Sequence, residues 1–208
     1  MHTTLLALAA FPLGAFPFSI VIGRLFLGKD IRDYGDGNPG AANVFRAGGQ
    51  VTGVLAVVLD VAKGAPFVYL AHSSFGLPLP SLFAIGMFAI LGHVFSPFLR
   101  WRGGKAVAVS FGVILAMPQQ ELLLAFIVFM VLGFLFIGPD AWTVVFGAAG
   151  SLVYTVITTG GSWESLLLLC VLAIFVAKNF GELHTMPGIN GRLVRWLQTV
   201  IRGAFSTL

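Results

Sequence analysis

Charge is what this chain has least of. Only 10% of its 208 residues are Asp, Glu, Lys or Arg, against 58% hydrophobic residues, whereas soluble domains carry about 25% charged residues. With a mean hydropathy of +0.96, that shortage excludes an ordinary water-soluble domain and points to an integral membrane protein. Cysteine is nearly absent too. Cys170 is the one copy, so no intrachain disulfide can form, and its apolar surroundings mark it as a small lipid- or core-facing residue. No Cys/His cluster shows zinc-ligand spacing, and no G-x-S-x-G nucleophile elbow occurs. Gly103-Gly104-Lys105 is followed by Ala106 and lacks the G-x-x-x-x-G-K-[ST] frame of a P-loop. These absences leave no metal, no cofactor and no covalent enzyme intermediate in the expectation. Direct transfer between two bound substrates fits the residues better.

What is present is a set of long apolar runs, at roughly 4–25, 51–71, 80–99, 106–117, 121–138, 141–159 and 164–180. A bilayer span takes about 20 apolar residues, so the fold class expected is all-α with seven transmembrane helices. The fourth run is short and reads as a half-span or broken helix. The first run follows a nearly uncharged N-terminus, without the basic region of a signal peptide, and is taken as a retained span. Lys and Arg excess marks cytoplasmic loops. Arg24, Lys29, Arg32 and Arg46 surround the first polar loop; Arg100, Arg102 and Lys105 follow the third run; Lys178, Arg192, Arg195 and Arg202 lie at or after the last. The connections around 72–80, 118–121 and 160–164 carry neither Lys nor Arg. Seven spans with the N-terminus outside and the C-terminus in the cytoplasm place every basic loop residue inside, leaving Lys63 within the second span. The expected division is a membrane domain over 1–190 and a basic tail over 191–208. In that tail Arg192, Arg195 and Arg202 alternate with Leu193, Trp196 and Leu197, as in an interfacial helix or a partly disordered tail.

Between the apolar runs lie two Gly-rich polar stretches. The first is Gly35-Asp36-Gly37-Asn38-Pro39-Gly40-Ala41-Ala42-Asn43, followed by Arg46; the second is Arg100-Trp101-Arg102-Gly103-Gly104-Lys105. Gly-rich turns next to Arg and Lys make anion cradles. The first stretch reads as a phosphate nest with Arg46 as an anion clamp, or as an ordinary connecting turn. Asp60 and Lys63 sit three apart in an apolar run, share a helix face and can pair. Ionisable residues inside spans are functional candidates by default, although a structural ion pair that orients helices explains them equally, and both uses are compatible. His93, near the end of the third run, is either a general base or phosphate donor or an internal helix–helix hydrogen bond.

In their order and spacing, Gly35 to Arg46, Asp60-x-x-Lys63-Gly64, Leu91-Gly92-His93 and Gly103-Gly104-Lys105 make the chain resemble the bacterial acyl-phosphate:glycerol-3-phosphate acyltransferases. The resemblance spans nearly the whole chain. None of the four histidines has an Asp five positions later, so the H-x-x-x-x-D box of the other large class of glycerolipid acyltransferases is absent. The resemblance implies seven spans and transfer of an acyl group from acyl phosphate to the sn-1 hydroxyl of glycerol 3-phosphate, giving lysophosphatidic acid and phosphate. It implies that Arg46 and Lys105 bind the acceptor phosphate and that the Gly35, Gly37, Asn38, Gly40 and Asn43 loop binds the donor head group. His93, Lys105 and Asp36 would act at the reacting groups, with Gly103, Gly104, Asp60, Lys63 and Asn179 lining the site.

Three positions depart from the family pattern. Asp36 stands where serine is usual, and a carboxylate beside phosphates repels them unless it is protonated, paired with Arg46 or hydrogen-bonded to a substrate hydroxyl. Ala106 replaces the last glycine of G-G-K-G, a mild change if the position is already helical. The H-x-x-N element at the end of the last span has Lys178-Asn179 as its nearest match. The expected partners are the two substrates and membrane lipids, with no nucleic acid, in a monomer of the bacterial inner membrane. Two alternatives stand beside this reading: the same donor with a different acceptor alcohol, and a transporter of small phosphorylated anions.

Overall fold

The computed structural model describes residues 1–188; the expected tail over 191–208 lies outside them. Among the described residues every regular element is helical. The chain forms two compact units, Met1–Leu123 and a second beginning at Leu124.

In the first unit, α1 (His2–Ala15) and α2 (Phe18–Leu27) form one apolar stretch interrupted at Phe16-Pro17. Proline pushes the preceding residue out of the helical region, and Phe16 is extended at φ −64°, ψ 126°. The first polar loop follows, with one 3₁₀ turn (Ile31–Asp33) and the six-residue α3 (Ala41–Arg46). A second interrupted stretch comprises α4 (Gln50–Ala62) and α5 (Pro66–Ser73). Then come α6 (Leu79–Val94), a 3₁₀ turn (Pro97–Leu99) and α7 (Val107–Leu115). All seven expected apolar runs are helical, counting α8 (Gln120–Phe136), α9 (Asp140–Thr159) and α10 (Trp163–Lys178). Four stretches, His2–Leu27, Gln50–Ser73, Leu79–Leu99 and Asp140–Thr159, are long and apolar enough to cross a membrane, and Gln120–Phe136 is a shorter apolar helix. The expected short fourth run is the nine-residue α7, about 14 Å at ~1.5 Å per residue. The breaks in the first two runs were not expected; Pro17 causes one, and Gly64 with Pro66 marks the other.

Both breaks serve packing. A Cβ on Gly64 would strike the Val109 carbonyl, and one on Gly112 would strike that of Val61, so α4 and α7 cross backbone to backbone. The Phe16 carbonyl freed at the first break accepts Lys63 Nζ at 3.0 Å. Lys63 also pairs with Asp60 at 2.8 Å, with side chains 1% and 3% exposed. Ser19 donates to the same carboxylate at 2.6 Å, and Ser96 Oγ donates to the Ala15 carbonyl at 2.6 Å. A cluster of Ile20, Ile22, Ile31, Ala41, Val44 and Ala56 then fixes the first polar loop between α2, α3 and α4. Ile31 and Val44 are fully buried, each contributing roughly 1.5–3 kcal/mol by leaving water.

In the second unit, α9 and α10 form a hairpin across Gly160-Gly161. Gly160 closes α9 in the left-handed conformation at φ 70°, and Ser162 caps α10 by accepting from the Ser165 N–H. The hydroxyls of Ser151 and Thr155 return to carbonyls one turn earlier, at 2.6 and 2.9 Å, which satisfies polar groups inside an apolar helix.

Candidate active site

The first polar loop is built from its acidic end. Asp30 caps the 3₁₀ turn, accepting the Arg32 N–H at 3.1 Å, and pairs with Arg32 at 2.6 Å and Arg24 at 2.7 Å. The Arg32 guanidinium holds the Asp30 carboxyl well below the usual carboxylate range against the opposing effect of burial. Gly35 and Gly37 follow at φ 57° and 70°, a region open to glycine. Between them Asp36 turns its carboxylate inward.

Asp36 is the hub of the site. Its Oδ1 accepts the Asn38 N–H at 3.2 Å and Asn43 Nδ2 at 2.9 Å, and lies 3.6 Å from Arg46 Nη1. Its Oδ2 pairs with Lys105 Nζ at 2.7 Å. Asn43, nearly fully buried, uses both ends of its amide: Nδ2 also donates to the Asn38 carbonyl at 2.9 Å, and Oδ1 accepts Arg46 Nη1 at 2.8 Å. A Cβ on Gly35 would lie 2.5 Å from Asn43 Oδ1 and 2.8 Å from Arg46 Nη1, so glycine there lets the guanidinium fold across the loop. Gly40 opens α3. Burial raises the Asp36 pKa, but Lys105, the Asn38 N–H and Asn43 together outweigh it, and the carboxyl lies below its ordinary value. Asp36 is therefore an ion-paired carboxylate at neutral pH.

Lys105 reaches this hub because the second loop doubles back on α6. Gly103 donates to the Val94 carbonyl at 3.1 Å and Gly104 to the His93 carbonyl at 3.2 Å, satisfying orphan carbonyls at the helix end. A Cβ on Gly104 would collide with Nε2 of the His93 ring, so backbone and imidazole lie in direct contact, and the buried His93 packs on the residue that precedes Lys105. Arg100 and Trp101 are left-handed at φ 52° and 66°, a conformation that costs non-glycine residues energy and concentrates at functional sites. Ala106 is also left-handed, at φ 64°. The expectation of a mild change at a helical position is thus corrected: the position calls for the glycine it lacks, because Cβ crowds the following carbonyl there.

The structure brings together Gly35, Asp36, Asn38, Asn43, Arg46, Lys105, Gly103, Gly104 and His93. Asp60 and Lys63 are placed at the Pro17 break, where they bind Ser19 and the Phe16 carbonyl. Asn179, in the second unit, is buried and closes α10, donating Nδ2 to the Phe175 carbonyl at 2.8 Å. Ser19 and Ser96 were not singled out from the sequence; a lone serine in an apolar run carries little signal. A cavity of about 750 Å³ beside Gly37 was not anticipated as a unit either. It is lined by Arg32, Arg100 and Arg102 with Phe98 and Leu99, basic residues that the sequence shows only as two separate charge clusters.

The sequence pattern of the family "Glycerol-3-phosphate acyltransferase" matches residues 4–185. Proteins named glycerol-3-phosphate acyltransferase from Staphylococcus aureus strains JH9 and Newman are each 43% identical over 142 residues, covering 64% of this chain and 69% of theirs. Two crystal structures of PlsY (YgiH), an integral membrane glycerol 3-phosphate acyltransferase, share the fold. The glycerol 3-phosphate form has a TM-score of 0.80 at 27% identity and the lysophosphatidic acid form 0.77 at 26%, each covering 88% of this chain and 90% of the other. These likenesses leave the transporter alternative without support. The protein is a membrane acyltransferase, and the chain belongs to the glycerol-3-phosphate acyltransferase family.

Proposed function

We propose that this acyltransferase moves an acyl group from acyl phosphate to the sn-1 hydroxyl of glycerol 3-phosphate, releasing lysophosphatidic acid and inorganic phosphate. The observation that carries the reading is the 2.7 Å Lys105–Asp36 pair, which joins the two Gly-rich loops into one polar cradle containing both a Lys and an Arg. The matched relatives' names support glycerol 3-phosphate as acceptor.

In this reading Arg46 and Lys105 hold the acceptor phosphate, and the Gly35–Asn43 loop receives the donor head group. The sn-1 oxygen adds to the acyl carbon, the acyl C–O bond breaks, and phosphate departs with the electron pair. The leaving phosphate takes the hydroxyl proton. The donor is already a mixed anhydride, so orientation and charge neutralisation supply the rate. His93, set by Gly104, polarises or places the reacting groups, and Asp60 and Lys63 hold the frame. The chain works as a seven-span monomer in the bacterial inner membrane, with its N-terminus outside and both loops cytoplasmic.

The test is direct. Purified protein given palmitoyl phosphate and glycerol 3-phosphate should yield lysophosphatidic acid and phosphate in equal amounts, and Arg46→Ala and Lys105→Ala should each lose at least a hundredfold in kcat/KM. No product from wild type refutes the reaction; undiminished product from both variants refutes the site. Asp36 favours a second reading, in which the donor is kept and a less negatively charged alcohol is the acceptor. Product formation with glycerol but not with glycerol 3-phosphate would select it.

A further inference from the structure

A phosphate-binding cradle normally presents positive charge alone, and here a carboxylate stands inside it and offsets part of that charge. Its charged side chains in mutual contact are Arg46, Lys105 and Asp36, which sum to +1 when all are ionised. Asp36 sits where an entering phosphate would be drawn, on the ammonium of Lys105 and beside the guanidinium of Arg46. It cannot simply swing away, because the Asn38 N–H and Asn43 Nδ2 hold its Oδ1 from the other side, and Asn43 is itself buried and fixed by Arg46. The side chains of Lys105, Asp36 and Arg46 are 18%, 25% and 40% exposed, so a ligand can reach them. Lysine has three donors and arginine five, and both can bind a phosphate while keeping their bond to Asp36.

We infer that Asp36 is a specificity residue that sets the charge the site accepts: a resident carboxylate that orients Lys105 and Arg46 and biases the cradle toward a singly charged phosphate over a doubly charged one. The inference rests on the proposed phosphate-binding role of Arg46 and Lys105. Its physical basis is that repulsion from a fixed carboxylate scales with ligand charge, so a dianion is disfavoured twice as strongly, in free energy, as a monoanion. A phosphate monoester changes between these forms near a pKa of about 6, within the range where Asp36 stays ionised.

Binding of inorganic phosphate and of glycerol 3-phosphate to the full-length protein, measured by calorimetry at pH 8.0 and 5.5 without any acyl donor, tests this. Asp36→Asn and Asp36→Ser should bind both ligands at least tenfold more tightly than wild type at pH 8.0, and that gain should shrink at least threefold at pH 5.5. Asp36→Glu should keep the weak binding of wild type at pH 8.0. The His93 ring packs on Gly104, next to Lys105. It is present in every variant, so its effect cancels in the ratio to wild type. In the acyl-transfer assay the neutral variants should lower KM for glycerol 3-phosphate with a smaller change in kcat. A purely structural Asp36 would give weaker or unchanged binding in Asp36→Asn and Asp36→Ser, and either result overturns the inference, as does a gain independent of pH or no phosphate binding in any variant. Failure of wild type to make product, with the binding pattern intact, would instead count against the proposed reaction. Circular dichroism secures the fold of each variant, and Asp36→Ser carries the comparison if Asp36→Asn does not fold.

Discussion

Replacing Lys63 by Met removes the ammonium that closes the Pro17 break while keeping a long apolar side chain in its place. Two groups lose their partner. The Phe16 carbonyl loses its 3.0 Å donor, worth about 1–3 kcal/mol for a buried polar group left unsatisfied. The Asp60 carboxylate, 3% exposed, keeps Ser19 but no counter-charge, and breaking a buried pair from one side costs about 3–5 kcal/mol. The two costs overlap, because both arise from one ammonium, so the expected loss is about 3–5 kcal/mol. At about 2–4 °C per kcal/mol for a chain of this length, thermal unfolding in detergent should fall by on the order of 10 °C. The double variant Asp60→Asn/Lys63→Met removes the stranded charge and leaves the carbonyl orphaned. It should therefore lie only about 1–3 kcal/mol below wild type, above the single variant, and should recover most acyl transfer with an unchanged KM for glycerol 3-phosphate. A double variant no more stable than Lys63→Met, or a single variant within about 0.5 kcal/mol of wild type, would refute the clasp. Recovered stability with a tenfold higher KM would return Asp60 and Lys63 to substrate contact.

Further outcomes follow from the same geometry. Gly104→Ala drives a methyl into the His93 ring and should lower kcat at least tenfold while unfolding shifts by only a few degrees; equal activity in a phosphate-release assay would remove His93 from the site. Gly112→Val forces α7 off the Val61 carbonyl and should cost about 1–3 kcal/mol or more as overpacking, read by thermal unfolding. The Asp36 carboxyl is depressed by its partners, so its contribution to stability is present above the unfolded carboxyl pKa of about 3.9 and is lost as pH falls through the lower folded value. The stability difference between wild type and Asp36→Asn should accordingly stay constant from pH 5 to 8 and shrink below about pH 4. A difference that titrates between pH 5 and 7 would contradict the ion-paired state.

How much of this was readable beforehand follows from the range of each signal. Hydropathy is local, so all seven apolar runs appear as helices within a few residues of their expected bounds. Glycine and charge in short stretches are local too, and both polar loops were visible. Pro17 was visible as a residue, but its consequence was not, since an apolar run on either side hides a break. The left-handed Ala106 was unreadable because the same residue sits equally well in a right-handed turn, and only the reversal of the chain onto His93 decides between them.

The sequence alone determined a helical membrane protein, the two Gly-rich polar loops and the pairing of Asp60 with Lys63, because each depends on composition or on residues a helical turn apart. Tertiary structure decided what those groups meet. Lys63 caps a carbonyl 47 residues away, Ser96 one 81 residues away, and Lys105 of the second loop pairs with Asp36 of the first. Asp36 is one of three acids spaced three apart in the sequence, after Asp30 and Asp33, and the centre of the cradle in the fold. Its meaning lies in partners drawn from two loops, and only the packing of α6 against α1 and of α7 against α4 brings those partners within reach.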